Sequence, residues 1–480
     1  MTAAPTDISA YGDHIVAVEP TGAEPVPDEA RHGRPLGLLW TWTSPNMEFA
    51  TVFVGVLAVG ILGMGFWPAV LAIVIGTALG SVAHGLLGLS GPRFGVPQMV
   101  AGRSAFGFLG NALPAGLNAL TAGIGWFAVN SVSAAYALNT LLKWPLLLCL
   151  FLVVVLQVAL AYFGHNFIHT AEKYAFPVLT LIFLVAAVTM FTKAHIGSAN
   201  GAHAAPGAFM LETGAAFGYA AGWTPYGSDY TRYLPRRTPQ WAVALWPALG
   251  VFLSCVLLEV VGAASSTAFI PARVAAGLSP TAAFTYPLPG LIAKLTLLAI
   301  AIGGIAANAL NIYSGALSFV AIGIRLPAWL RRAVVAVIFG IAGTLVAWSG
   351  LHDSATKYNN FLLVISYWIG PWLAVTFTDR YLRRREPDAA VGALLEDRTH
   401  RNWAAPVAMA AGTALSVWLF SNQSDYTGLI AKHVPSIGDL GFETGFVIAA
   451  LLYLGLRLVP GFGPVRAAAA AQEAPEPAGA

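Results

Sequence analysis

Charged residues are scarce in this sequence. Asp, Glu, Lys and Arg make up 10% of its 480 residues, whereas soluble domains contain roughly 25%. Hydrophobic residues reach 57%, which is more than a water-soluble protein of this length needs. The low charge excludes an ordinary soluble domain, and the net charge of +3 gives no indication of a nucleic-acid partner. The composition therefore predicts an integral membrane protein.

Cysteine is nearly absent as well. Cys149 and Cys255 are the only two, and each lies inside an apolar segment. This excludes a disulfide framework and a zinc motif and is typical of small buried side chains. A membrane-embedded enzyme would need a nucleophile with a base, or several metal ligands, at membrane depth. Apart from one pair of histidines, no such group is evident, so we expect neither enzymatic activity nor a cofactor.

Long apolar segments are what the sequence does contain. A transmembrane helix needs about 20 mostly apolar residues in a row. Reading for that length predicts an all-α integral membrane protein with about 12 transmembrane helices. The twelve spans are 37–62, 66–88, 107–140, 145–163, 175–192, 209–231, 241–264, 288–323, 329–349, 358–381, 402–420 and 441–459.

The basic residues indicate the orientation, because cytoplasmic loops carry an excess of Lys and Arg. With the N-terminus inside, 19 of the 25 Lys and Arg residues fall in inner loops and tails. We therefore expect a multi-pass protein of the cell membrane, plasma or inner, with both termini cytoplasmic. The six that fall elsewhere are Lys143, Lys193, Arg273, Lys294, Lys357 and Lys432.

The two ends of the chain differ from its apolar middle. Residues 1–35 are polar, acidic and proline-bearing, and residues 461–480 are rich in Ala, Pro and Glu. Segments with too few apolar residues to form a core remain disordered. We predict two disordered cytoplasmic tails around one membrane domain, residues 36–460.

Two of the spans contain residues that interrupt a helix. The first span carries the sequence TSPN at residues 43–46, and the sixth carries GWTPYGSDY at residues 222–230. A helix cannot pass through such points unbent, because proline lacks the N–H group and glycine gives up backbone order. Two broken membrane helices at similar places in the two halves of a chain indicate the binding site of a transporter.

Polar side chains are few within the spans, and their grouping is informative. Trp126 and Asn130 lie one turn apart in the third span, and Asn308 and Asn311 share a face of the eighth. With Trp223 they favour a pocket for a flat, neutral, amide-bearing ring. Indoles would stack on the ring, which contributes about 1–3 kcal/mol per base where proteins stack bases, and carboxamides would read its edge. The alternative is that the tryptophans are packing residues and the asparagines link helices.

Three stretches carry a resemblance to a known family. They are GPRFGVPQMV at residues 91–100 with RSAFG at 103–107, GWFAVN at 125–130, and GWTPYGSDYTRYLP at 222–235. With them the chain resembles, over about residues 36–460, the nucleobase:cation symporters of the purine/cytosine permease type. The resemblance implies the leucine-transporter architecture. Two inverted repeats of five helices would cover about 37–192 and 209–381, with two extra helices at about 402–459.

The resemblance also implies a substrate site and a function. The function is import of a neutral nucleobase-like heterocycle, such as cytosine or a purine, by cation symport through alternating access. Allantoin, hydantoin, a thiamine-like ring, a nucleoside or an amino acid stay open as substrates of the same fold. Ser44, at the first break, is the loosest match to the family's substrate residues. The residues matched to that site are Trp126, Asn130, Gly222, Trp223, Thr224, Asn308, Asn311 and Ser44.

The coupling cation is H⁺ or Na⁺, and the residues favour H⁺. Sodium-dependent members of the resembled family place a serine and a threonine about one turn before the asparagines of the eighth span. Ile305 and Ala306 stand there in this chain and have no side-chain oxygen, which sodium prefers as a ligand.

A proton-coupled carrier needs a group that can be charged in one state and neutral in another. Glu48, just past the first break, is the leading candidate, because an intramembrane Asp costs about 2.5–3.5 kcal/mol on insertion scales. Asn46 beside it is a further candidate for coupling. Asp229 and Glu259 are alternatives, although Asp229 also suits a structural ion pair or gate with the neighbouring Arg232.

The histidines are interpreted as structural. His165 and His169 are four residues apart with Glu172 three further on, a spacing that could bind a metal. Similar sequences stand in the resembled permeases as a connector, so no metal site is expected. His84, alone in the second span, is interpreted as a packing residue. The partners predicted are a small heterocyclic substrate, the coupling cation and the lipid bilayer.

Overall fold

The computed structural model describes residues 22, 24–161, 165–198, 201, 203–267, 273, 277–323, 328–351 and 354–464. Each of the twelve predicted spans has a helical counterpart, named α1 to α12 in chain order. These are α1 (Gly37–Thr43 and Phe49–Val56), α2 (Phe66–Gly88), α3 (Ala112–Leu120, Thr121–Trp126 and Phe127–Leu142), α4 (Leu146–Ala161), α5 (His165–Phe191), α6 (Ala208–Ala221 and Gly227–Thr231), α7 (Gln240–Ser266), α8 (Gly290–Ala321), α9 (Ala328–Gly350), α10 (Ser354–Leu382), α11 (Ala404–Phe420) and α12 (Gly441–Leu456).

Length and composition support the membrane assignment for most of these helices. Within the described residues, six are long and apolar enough to cross a bilayer, and the bent pair of α1 makes a seventh. The shorter apolar helices correspond to α4, α9, α11 and α12. The number of twelve crossings therefore stays a prediction.

Both predicted breaks are present. In α1, the 3₁₀ turn Ser44–Asn46 follows the first half, Glu48 is extended with φ −148° and ψ 174°, and the two halves are bent by 63°. In α6, the 3₁₀ turn Thr224–Tyr226 separates the two halves. A proline occupies the first turn of each 3₁₀ segment, where its missing N–H group costs no hydrogen bond.

A third irregularity lies in α3, where residues Thr121–Trp126 form a π turn. Such turns interrupt α-helices and occur often at functional sites. Glycines are needed here, because a side chain on Gly123 would collide with the Phe339 ring and one on Gly125 with the Phe361 ring. Rings from α9 and α10 thus hold the turn that ends at Trp126.

The helices form two packed groups that meet at the breaks. In the first group α2 packs on α6 and α7, and α7 packs on both halves of α1. In the second, α8 packs on α3 and α4, and α3 packs on α9. Glycines allow close backbone contact within the first group: Gly55 of α1 lies on the backbone of Glu259 in α7, and Gly76 of α2 lies on that of Thr213 in α6. α10 contacts α6 and also packs on α11 and α12.

Part of the predicted N-terminal tail is packed against the helices. The Val26 N–H group donates to the Gly95 carbonyl (2.9 Å) and the His32 N–H group to the Tyr233 carbonyl (2.6 Å). Val26 itself is buried. This differs from the disordered segment expected for residues 1–35, because backbone hydrogen bonds to a distant connector leave no mark in local composition. Residues 1–21, 23 and 465–480 lie outside the described residues.

Candidate functional site

The asparagines of α3 and α8 meet in one buried network. The Asn308 side-chain oxygen accepts hydrogen bonds from Asn130 Nδ2 (3.2 Å) and Asn311 Nδ2 (3.3 Å). The Tyr226 hydroxyl, from the break in α6, donates to Asn311 Oδ1 (3.1 Å). All three amides are buried. Asn130, Asn308 and Asn311, which the sequence assigns to one pocket, therefore lie together and tie α3 and α8 to the broken helix.

Asn308 is held from behind by a residue that the sequence did not single out. Its Nδ2 group donates to Gln157 Oε1 (2.7 Å) and lies within hydrogen-bond range of the Phe127 carbonyl (3.0 Å) and Ser131 Oγ (3.3 Å). Gln157 Nε2 in turn donates to Ser131 Oγ (2.9 Å). A carboxamide has two N–H groups, so the donors of Asn308 are fully used. Its role in this arrangement is to position Asn130 and Asn311.

Some hydrogen-bonding capacity in the network remains open. Within the described part of the chain, Asn130 Oδ1 is buried without a hydrogen-bond partner. Asn311 Nδ2 makes one hydrogen bond and has a second N–H group to offer. A buried acceptor left unpaired is costly. The pair thus has one acceptor and one donor available for a further hydrogen-bonding partner.

Aromatic side chains beside Asn130 and Asn311 form a closed series of contacts, which we call the aromatic circuit. The Trp126 indole lies against Gly222, where an added Cβ would be 3.1 Å from the ring. It also meets the Tyr219 ring edge-on at 5.3 Å. Trp223 meets Tyr226 edge-on at 5.5 Å. Contacts therefore run from Trp126 through the α6 break to Tyr226, and from there through the asparagines back to α3.

Asn46 is occupied in positioning Trp223. Its Oδ1 accepts from the Trp223 indole N–H (2.9 Å), and its Nδ2 donates to the Trp42 carbonyl (2.7 Å). Both ends of the amide are thus engaged across the two breaks. This geometry favours an orienting role for Asn46, whereas the sequence suggested cation coupling.

Thr224 and Ser44 are buried at the breaks, and within the described residues neither side chain forms a hydrogen bond to the asparagine network. Thr224 Oγ1 donates to the Ala221 carbonyl (2.6 Å), so this hydroxyl closes the end of the first half of α6. Ser44 lies beside Glu172 of α5, and among the described residues its hydroxyl has no partner within hydrogen-bond distance. Glu172, which the sequence placed in a metal-like triplet, is therefore a buried carboxyl facing the α1 break.

The carboxyl candidates for coupling have different surroundings. Glu48 is buried at the α1 break, and its Oε1 accepts from the Tyr219 hydroxyl (3.3 Å). Glu259 accepts from Thr77 of α2 (2.7 Å). Asp229 Oδ1 accepts from the Gln98 backbone N–H (2.8 Å), which fastens α6 to the short helix Gln98–Ala101. Asp229 thus has a structural contact, while Glu48 and Glu259 lie inside the first helix group.

The histidines have structural contacts. The His84 Nδ1 atom lies 2.9 Å from the Trp223 carbonyl, so it ties α2 to the α6 break. His169 Nδ1 lies 2.7 Å from Thr41 Oγ1 and ties α5 to α1. The side chain of His165 lies outside the described residues. No cluster of three or more His, Cys, Asp or Glu side chains that could hold a metal ion occurs in the part searched.

A cavity of about 150 Å³ opens beside Trp126, toward the end of the helices opposite the termini. Its lining includes Gly125 and the aromatic residues Phe53, Tyr358 and Phe361. Neither indole lines it, and Trp126 and Trp223 are 6% and 7% exposed. The aromatic circuit is therefore occluded, with a vestibule on one side.

Comparison with known proteins places the chain in a family. The sequence model described as "Permease for cytosine/purines, uracil, thiamine, allantoin" matches residues 25–447. The chain belongs to this family. Its members are permeases, which confirms a membrane transporter and excludes an enzyme as its class.

Relatives in this permease family cover nearly the whole chain. The purine-cytosine permease fcyB of Emericella nidulans is 27% identical over 95% of this chain and 93% of its own length. The purine-cytosine permease FCY2 of Saccharomyces cerevisiae is 27% identical over 92% of this chain and 85% of its own. The allantoin permease of Bacillus subtilis is 24% identical over 87% of this chain and 91% of its own. Relatives of similar identity thus carry names with different substrates.

Solved structures confirm the fold. Mhp1, a nucleobase-cation-symport-1 family transporter in a closed conformation with bromovinylhydantoin bound, superposes with a TM-score of 0.70. It is 20% identical to this chain and covers 91% of it, with 94% of Mhp1 covered. The inward-facing conformation of Mhp1 gives 0.68 at 20% identity, over 92% of this chain and 93% of that one. The leucine-transporter type of permease fold predicted from the resemblance is therefore confirmed.

Proposed function

We propose that this permease imports an uncharged nucleobase-like heterocycle, cytosine or a purine, together with a proton. The observation that carries the proposal is the open acceptor of Asn130 beside the second N–H group of Asn311, both held by Asn308. A pyrimidine or purine edge offers ring N–H donors beside ring nitrogen or carbonyl acceptors, which complement such a pair. Trp126 and Trp223 would supply the faces for stacking.

In the described part of the chain, no charged group hydrogen-bonds to these asparagines, which favours a neutral substrate. The groups that contact the asparagines are amides, hydroxyls and one backbone carbonyl. A carboxylate or ammonium brought there would be buried without a counter-ion, at a cost of several kcal/mol. An amino acid therefore suits the site poorly. Allantoin and hydantoins present the same kind of edge and are the alternatives that the substrate panel below distinguishes.

Transport would follow alternating access across the cell membrane, with both termini in the cytoplasm. Substrate would enter through the vestibule beside Trp126, and the first helix group would then move against the second. Glu48 is the proposed proton carrier, because it is a buried carboxyl at the α1 break. At 100 mV one charge carries about 2.3 kcal/mol, which permits roughly fifty-fold accumulation of a neutral substrate.

Uptake in a host that lacks its own carriers tests the proposal. Radiolabelled cytosine, adenine, hypoxanthine, uracil and allantoin are supplied in turn, with and without a protonophore and with Na⁺ replaced by choline. We expect uptake of a nucleobase that the protonophore stops and the Na⁺ replacement does not. Asn130→Ala should lose it, while Asn118→Ala should keep it, since Asn118 makes a comparable bond to Ser318 (2.7 Å) three turns away. Uptake of allantoin alone, or uptake that requires Na⁺, would contradict the proposal.

A further inference from the structure

Three glutamates are buried inside the first helix group. Glu48 of α1, Glu212 of α6 and Glu259 of α7 are each at most 1% exposed. Glu259 Oε2 accepts from Thr77 Oγ1 (2.7 Å), and Glu48 Oε1 accepts from the Tyr219 hydroxyl (3.3 Å). In the described part of the chain, the other oxygen of each has no hydrogen-bond partner, and Glu212 has none at either oxygen.

Glu212 is the most informative of the three. No local motif singles it out, and among the described residues neither of its buried carboxyl oxygens has a hydrogen-bond donor. Its charge would interact with that of Glu259. This enclosed carboxyl, which interacts electrostatically with Glu259, is an observation separate from the hydrogen bond between Thr77 and Glu259. It requires something to satisfy those oxygens, and the smallest such ligand is a proton.

Among the described residues, no cation is recorded as interacting with these carboxyls. Tyr358 of α10 interacts electrostatically with all three glutamates and with Cys255 of α7. Tyr219 of α6 interacts with Glu48, Tyr358 and Cys255. α2 contributes the neutral hydroxyl of Thr77. Buried carboxylates without a counter-ion repel one another and cost several kcal/mol each. Glu212 and Glu259 must therefore share at least one proton.

The three carboxyls lie at increasing depth from the vestibule end. Glu212 is four residues into α6, about 6 Å along the axis at 1.5 Å per residue. Glu259 is seven residues before Ser266, the last residue of α7, or about 10 Å. Glu48, at the break in α1, lies 13 residues before Ile61, where the π turn Leu57–Ile61 that continues α1 ends, or about 20 Å. All three belong to one helix group, so they keep their spacing while that group moves.

We propose that Glu212 and Glu259 form a second proton-binding site, which takes up the coupling proton from outside and passes it to Glu48. This inference rests on the proposed function, because it describes the path of the proton that is co-transported with the substrate. An external hydronium ion protonates the remaining carboxylate of the Glu212–Glu259 pair. The O–H bond at the pair then breaks as an O–H bond forms at the Glu48 carboxylate. The pair is left anionic until the next external proton arrives, and Glu48 releases its proton on the cytoplasmic side.

Purified full-length protein in proteoliposomes tests this site, with a trapped pH dye and radiolabelled substrate. The variants are Glu212→Gln and Glu259→Gln, with Glu443→Gln of α12 as the matched control, since Glu443 also has carboxyl oxygens without partners. We expect each test variant to lower substrate-driven proton entry and uphill uptake at least tenfold. Counterflow exchange should stay within twofold of the wild type. Glu259→Asp should restore part of the proton entry, and Glu443→Gln should match the wild type.

Several results would overturn the proposal. One is full proton entry with an unchanged external-pH profile in both variants. Another is loss of counterflow together with uphill uptake in protein that remains monodisperse and binds substrate, which would indicate a structural role. If one variant does not fold, Thr77→Val tests the same site and should shift the external pH of half-maximal uptake. A wild-type protein that accumulates no nucleobase refutes the proposed function itself, whereas wild-type proton coupling retained in the variants refutes only the second site.

Discussion

Replacement of Gln157 by leucine is the sharpest test of the polar network, because Gln157 is connected to Asn130 and Asn311 only through Asn308. Leucine keeps similar volume within the apolar α4 but removes the acceptor of the 2.7 Å bond from Asn308. A buried donor left unsatisfied costs about 1–3 kcal/mol, although interhelical hydrogen bonds in membranes average nearer 0.6. Asn308 would then turn toward its remaining partners.

Loss of the hydrogen bond between Asn308 and Gln157 should weaken substrate binding. If about 1–2 kcal/mol of the positioning energy is lost, half-saturation of uptake rises about 5- to 30-fold. The maximal rate should change much less, because Gln157 takes no part in the movement between the helix groups. Uptake measured over a hundredfold range of substrate concentration separates the two quantities, and tryptophan fluorescence titration of purified protein measures binding directly.

A double-mutant cycle separates positioning from general destabilisation. In an Asn308→Ala background, Gln157→Leu should have little further effect on half-saturation, because its only route to the substrate is already gone. Asn118→Ala serves as the control for loss of a different interhelical hydrogen bond to α8, that from Asn118 of α3 to Ser318. The reasoning is refuted if Gln157→Leu leaves half-saturation unchanged, or if its effect is fully additive to that of Asn308→Ala.

Three further predictions follow from separate parts of the structure. Trp126→Ala should reduce uptake at least about fivefold through lost stacking of about 1–3 kcal/mol, whereas Trp67→Ala, at an indole 70% exposed, should not; equal uptake in both would remove Trp126 from the site. Glu48→Gln should abolish uphill accumulation while sparing exchange, and concentrative uptake in that variant would exclude Glu48 as the carrier. Outside the membrane helices, the hydrogen bond from Arg93 lowers the pKa of Asp388, so the pair stabilises the fold above pH ~4 and loses this effect as the pH falls through the lowered pKa. Since exposed pairs contribute only about 0.2–1 kcal/mol, Asp388→Asn should lower the melting temperature slightly at pH 7 and not at all in strong acid; a difference that persists in acid would exclude the ion pair as its cause.

Much of the fold follows from local sequence signals. Apolar length predicts where the helices run, and Pro45 and Pro225 mark the breaks because proline and its neighbours act on the backbone directly. The spacing of Asn308 and Asn311 places them on one face for the same local reason. These signals need no knowledge of which helices become neighbours.

The remaining features depend on contacts between distant helices. Gln157 is a lone amide in an apolar span, and nothing near it in the sequence identifies Asn308 and Ser131 as its partners. Asn46 suggested ion coupling until the Trp223 indole was seen to occupy its oxygen. Glu212 belongs to no recognisable motif, so its role can be inferred only from its interaction with Glu259 in the next helix.

The glycine contacts between α1 and α7 limit how this protein can change shape. With Gly55 resting on the Glu259 backbone and Gly262 on that of Val52, the second half of α1 cannot slide or tilt independently of α7. Flexing is then concentrated at the two interrupted turns, Ser44–Asn46 and Thr224–Tyr226. In the proposed function the hinge and the substrate site therefore coincide, so that binding of substrate would act directly on the hinge residues.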